Sequence, residues 1–224
     1  MPRQLSFDLP VREALGREDF FVSPANAPAV AMIETWPGWP GGKLVLTGSK
    51  GAGKTHLAHV WAARSGAAII PARDLAGADI AALATTPVAV EDCERIIGER
   101  ACETALFHLH NLALAEGQSL LFTALTPPNR WHLSLPDLAS RMQGAALARI
   151  APPDDALLAA VLMKLFADRQ LAPTPATIPF LLRRIERSFA DASAIVARLD
   201  AAALAQGRPV TPALARNVLD MPGD

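Results

Sequence analysis

The chain has 224 residues, a formal net charge of −1, 51% hydrophobic and 19% charged side chains, which is enough apolar material for a sizeable core and excludes global disorder. That balance leaves no overall basic footprint for nucleic acid, and no apolar run is long or clean enough to span a bilayer. Two cysteines, Cys93 and Cys102, without a secretion signal exclude a disulfide scaffold and fit a reducing cytoplasm.

In chain order, "MPRQLSFDLP" reads as a short extended arm ending in proline. "EDFFVSPANAPAVAMIETWP" turns at Ser-Pro and then enters a helix from about Asn26 that stops before Pro37. Short apolar runs then alternate with helical stretches. Strands are predicted over 44–47, 67–71, 87–90, 119–125 and 148–150, and helices over 54–65, 102–116 and 139–142. Strands alternating with helices predict an α/β fold, a parallel sheet between helical layers. "APPDD" at 151–155 is the clearest boundary. Beyond it only helices are predicted, over 154–169, 175–187, 190–205 and 212–219. The organisation is an arm over 1–10, a nucleotide-binding domain over 11–152 and a small helical lid over 153–224.

"GSKGAGKTH", Gly48 to His56, completes the pattern G-x-x-x-x-G-K-T between a predicted strand and a predicted helix. Gly48, Gly51 and Gly53 permit unusual backbone angles and close approach of phosphate oxygens. The backbone N–H groups of Ser49, Lys50 and Ala52, with the helix start through His56, can hold the anion. Lys54 reaches the β- and γ-phosphates and Thr55 can ligate Mg²⁺. This predicts ATP or ADP as ligand. "PVAVED" supplies the acidic partner, a strand ending on Glu91 and Asp92. One carboxylate can hold Mg²⁺ and the other orient water; Asp92 joins Thr55 as the metal candidate. Thr123, in "LLFTA", is either a phosphate-sensing hydroxyl or an ordinary strand threonine. His56 and His59 stand one turn apart with no third ligand, as ordinary helix residues.

Taken together, "DFFVSPANAPAV", "LFHLHNLALAEGQSLLFTALTPP" and "LPDLASRM" resemble the AAA+ ATPases of the bacterial replication initiator DnaA along nearly the whole chain. The resemblance implies an adenine pocket lined by Phe21, Val22 and Asn26, sensor 1 at Thr123, and an arginine finger at Arg141 that acts on nucleotide of a neighbouring subunit. An Arg141 paired to Asp137 four residues earlier is the structural alternative.

Within that family the chain is most similar to the Hda group, regulators that inactivate the initiator. "QLSFDLP" resembles the peptide by which they bind the DNA sliding clamp, with Gln4 bonding at a groove edge, Leu5, Phe7 and Leu9 as apolar anchors, and Ser6 and Asp8 between them. The initiator's helix-turn-helix is expected to be missing, so DNA is contacted only indirectly. The implied partners are the clamp and DnaA, with a homo-oligomer also open, and no membrane. The pattern departs at three places. Ala190 falls at the sensor 2 arginine position, with Arg187 one turn earlier. Glu91 stands where the initiator usually has Asp, and Leu125 where it usually has an acid after sensor 1. Weak intrinsic hydrolysis follows, with bound nucleotide mainly a conformational ligand. A DnaA-like switch with another partner and an autonomous P-loop kinase or ATPase are the alternatives.

Overall fold

A computed structural model describes residues 21–220. The arm with Gln4, Leu5, Ser6, Phe7, Asp8 and Leu9 therefore lies outside the described residues. Five parallel strands form one sheet: β1 (Lys43–Thr47), β2 (Ala68–Pro71), β3 (Val88–Glu91), β4 (Leu120–Ala124) and β5 (Ala146–Arg149), in the order β2-β3-β4-β1-β5. β1 and β4 are buried along their whole length, which is why they read as unbroken apolar runs rather than alternations.

Alternate side chains of these strands feed two cores. Val45, Val88, Val90, Leu120 and Phe122 face one layer, which contains α4 (Arg100–Ala115) and α5 (Pro136–Gln143). Leu44, Leu46, Ala89 and Leu121 face the other, built on α1 (Ala27–Glu34) and α2 (Lys54–Ser65). A short α3 (Ile80–Leu83) and single turns at Ala72–Gly77 and Cys93–Ile96 cover the first face. The sequence pattern does not predict them, because four to six residues are too few to show a helical period. α5 is longer than predicted, starting on Pro136, whose fixed φ suits a first turn.

The remaining helices, α6 (Asp155–Asp168), α7 (Thr177–Leu182), α8 (Phe189–Gln206) and α9 (Pro212–Asp220), close on a core of their own around Leu158, Phe166, Leu181, Ile195 and Leu199. Asp154 caps α6 through the Leu157 N–H at 2.7 Å. Ser188 caps α8 through the Asp191 N–H at 3.0 Å, and Asp191 in turn accepts from the Glu186 N–H at 2.8 Å. This cap starts α8 at Phe189, and the predicted 175–187 helix is shorter, ending at Leu182.

Glu103, fully buried on α4, holds the start of α5. Its carboxylate accepts from the N–H of Gly98 at 2.8 Å and Ser134 at 2.8 Å, the Ser134 hydroxyl at 2.6 Å and the Leu135 N–H at 3.1 Å. Burial alone would raise its pKa; these four donors outweigh it and leave it below the usual carboxylate range. Glu103→Ala strands buried donors on two segments. It is expected to lower unfolding free energy by at least about 3 kcal/mol in urea titration, whereas Glu103→Gln, which keeps an acceptor oxygen, loses less.

Candidate nucleotide site

The loop between β1 and α2 leaves the carboxyl edge of the sheet, where ligands of open α/β sheets bind. Gly51 has φ +71° and Gly53 φ +97°, left-handed conformations that favour glycine. A Cβ at Gly48 would lie 2.9 Å from the Ile150 carbonyl oxygen, so the residue that follows β5 packs directly against the loop. Lys54 is buried in the loop, its Nζ donating to the carbonyls of Gly48 at 2.9 Å and Ser49 at 3.0 Å. Burial lowers its pKa, and the carboxylates of Glu94, Asp92 and Glu91 push it part of the way back. The ammonium thus lies within the electrostatic influence of three acids, at the start of a helix whose first N–H groups lack intrahelical acceptors. These residues fit a polyphosphate: Lys54 and the loop amides would hold it.

Glu91 and Asp92 follow each other but face different surroundings. One oxygen of Glu91, Oε1, is buried with no hydrogen-bond partner. Asp92 adopts φ +56° and pairs with Arg95 Nε at 3.1 Å. Its N–H donates to the buried Thr123 hydroxyl at 3.1 Å, tying the end of β3 to β4. Glu94, which sequence reasoning passed over, accepts from the Leu125 N–H at 3.2 Å. Among the described residues no cluster of three His, Cys, Asp or Glu forms a metal site. A magnesium ion would therefore draw ligands from phosphate oxygens, with the exposed Thr55 hydroxyl and the orphaned Glu91 oxygen as fitting protein donors.

The segment expected to line an adenine pocket is drawn to the same edge, as the Ala151 N–H donates to the Ala25 carbonyl at 3.0 Å. Phe21 and Val22 are 38% and 49% exposed. Asn26 is buried and fully engaged: its Nδ2 donates to the Phe21 carbonyl and its Oδ1 accepts from the Ser23 N–H, both at 2.8 Å. It shapes the turn that carries the two apolar residues. From the other side the lid reaches the loop. The Phe189 N–H donates to the Gly51 carbonyl at 2.8 Å, and a Cβ at Gly51 would lie 2.9 Å from the Ala190 Cβ. Arg187 pairs instead with Asp155 at 2.9 Å.

Arg141 belongs to the opposite edge. β1 separates Lys43 from Gly48 by about 15 Å at 3.3 Å per residue, and the Arg141 carbonyl accepts from Lys43 Nζ at 2.8 Å. α5 leads directly into the first residue of β5, Ala146, which pairs with Leu44. The Arg141 guanidinium stacks 5.2 Å from the Phe107 ring. Among the described residues no carboxylate forms an ion pair with it, Asp137 included. Lys43 Nζ also lies 3.0 Å from His110 Nε2. Burial, then the Lys43 charge, lowers the His110 pKa to about 4. Neutral His110 thus accepts from the ammonium. No sequence signal marked Lys43, Glu103 or His110, since charged residues at strand starts and on helices ordinarily face water.

No protein-family model matches the chain. Among solved structures it is similar to domain III of the Thermotoga maritima replication initiation protein DnaA, with TM-score 0.77 and 17% identity over 94% of this chain and 98% of that one. The fold is that of a DnaA-type AAA+ domain. AMPPCP-bound DnaA from Aquifex aeolicus gives TM-score 0.69 at 17% identity over 83% of this chain and 64% of that one. The Thermotoga maritima RuvB Holliday junction branch migration motor gives 0.62 at 17% identity, over 80% and 61%. The chain thus spans one domain of the initiator but under two thirds of these longer relatives. Among the described residues no helix is long and apolar enough to cross a membrane, and Cys93 and Cys102 are both free thiols.

Two measurements follow. Lys54→Ala should weaken ADP binding at least about tenfold by calorimetry, since it removes the buried cation of the loop; unchanged affinity would take the loop out of nucleotide binding. His110 has a folded-state pKa near 4 against an ordinary 6.5, so the unfolded chain takes its proton first. Its contribution is complete above pH 6.5 and is lost as pH falls towards 4, up to about 3 kcal/mol at 1.36 kcal/mol per unit. Urea titrations of wild type and His110→Gln across that window should diverge in slope.

Proposed function

We propose that the chain is a regulatory AAA+ protein of the Hda type, which binds the DNA sliding clamp and promotes hydrolysis of ATP held by DnaA. The single observation that supports it best is the placement of Arg141. Among the described residues no carboxylate forms an ion pair with its guanidinium, and it stands at the sheet edge away from the chain's own phosphate loop. A phosphate within its reach would belong to another subunit, and a guanidinium there stabilises charge developing on the transferred phosphoryl group.

In this reading the clamp contact is the arm, Gln4 to Leu9, and DNA is met only through the clamp. The chain's own nucleotide, ADP or ATP with Mg²⁺ carried on its phosphates, sets the lid against the loop rather than being turned over. Two features support that role. Ala190 offers no cation to a γ-phosphate, and the α8 start rests directly on Gly51. Glu91, Asp92 and Thr123 then organise the site and its water with little net hydrolysis. The protein works in the cytoplasm, as a monomer or a homo-oligomer.

The arm and the finger are tested separately. Purified chain should bind its cognate clamp, and Gln4→Ala/Phe7→Ala should abolish binding. A wild-type chain that ignores the clamp, with or without ADP, would sink this reading. With the clamp loaded on DNA, Arg141→Ala should slow DnaA ATP hydrolysis on the order of 10³-fold, while its clamp binding stays at the wild-type level.

A further inference from the structure

α5 has eight residues, too short to hold itself. It is fastened at both ends by charged groups from elsewhere in the fold. Glu103 binds the Ser134 and Leu135 N–H groups just before it. At its other end, the carbonyls of Ser140 and Met142 accept from the Gly144 N–H, but the Arg141 carbonyl takes a donor 98 residues away in sequence, the Lys43 ammonium. A cation at a helix C-terminus is favourable. Even so, this is an expensive lysine. It is buried, and both burial and the neighbouring Arg141 guanidinium push it towards the neutral form. The other four residues of β1, Leu44 to Thr47, are all buried too, so an apolar side chain at 43 would suit the strand. A buried charge is a poor source of stability but can fix a unique arrangement.

We infer that Lys43, seated on the His110 ring, is a positioning residue for Arg141: it pins the carbonyl of the arginine itself and so sets where the guanidinium can reach. Phe107, one turn before His110 on α4, supports the same guanidinium from its ring face. Backbone and side chain of one residue are thereby held to one helix and one strand. This rests on the reading of Arg141 as a finger acting on a neighbour's nucleotide. There a displacement of about 1 Å is worth on the order of 100-fold in rate.

The test measures clamp-dependent hydrolysis of DnaA-bound ATP against chain concentration for wild type, Lys43→Met, His110→Gln, Arg141→Ala and the double variant Lys43→Met/Arg141→Ala. ADP binding, about 15 Å away along β1, serves as the folding control. Lys43→Met should lower the maximal rate at least tenfold with half-saturation within twofold of wild type. His110→Gln, which keeps an acceptor for the ammonium, should stay within threefold. In the double variant, Lys43→Met should add nothing to the loss caused by Arg141→Ala. If Lys43→Met fails to bind ADP, His110→Leu replaces it, with an expected loss of at least threefold. Full activity of Lys43→Met (or of His110→Leu in its place) beside an impaired Arg141→Ala overturns this inference alone. So does an additive double variant. Full activity of Arg141→Ala overturns the finger, and the positioning role with it.

Discussion

Strand β1 lies between two parallel neighbours, β4 and β5, and every functional feature is measured from it. Its carboxyl end releases the chain into the phosphate loop. Its first residue, Lys43, reaches the helix that carries Arg141. Because a parallel strand is paired on both edges and buried on both faces, it can neither slip nor bend without breaking two ladders. Five residues therefore set a nearly rigid distance between a site that can hold a nucleotide and a guanidinium that cannot reach it. That separation is what supports the proposal that Arg141 acts on a nucleotide other than the chain's own.

At the loop, small residues decide what approaches. Gly51 and Ala190 come so close that a side chain on the glycine would collide with the lid, and the Phe189 N–H closes the contact. Anything that widens the loop must shift the start of α8. The core around Leu158, Phe166 and Leu199 is separate from the two cores of the sheet, and the Arg187–Asp155 pair ties the segment before α8 to the start of α6. A nucleotide in the loop would thereby be felt as a lid angle, which suits a ligand that sets shape.

The second device is the use of buried charge away from the loop. Glu103, Lys43 and His110 converge on the two ends of α5. Each is costly by itself and tolerable only with its partners in place. Their common effect is to hold a two-turn helix on the surface of α4 in one position. Phe21 and Val22 are presented on a turn shaped by Asn26.

The sequence alone determined the α/β order, the five strands and the phosphate loop, because these rest on local signals: apolar runs, glycine spacing and the Lys-Thr pair at a helix start. It also marked Glu91, Asp92, Thr123 and Arg141 as candidates through motif and resemblance. It left the roles of the paired acids open, and it read Asn26 as pocket lining, where the side chain is spent on its own turn. Only the tertiary structure decided that Asp92 faces Arg95 while Glu91 keeps a buried free oxygen, that Ala190 sits against Gly51, and that Lys43 bonds both His110 and the Arg141 carbonyl. The reason is physical. A motif records which groups are adjacent along the chain, but a charge buried 98 residues from its partner leaves no periodicity or composition to read, and its meaning exists only once the sheet has brought the two together.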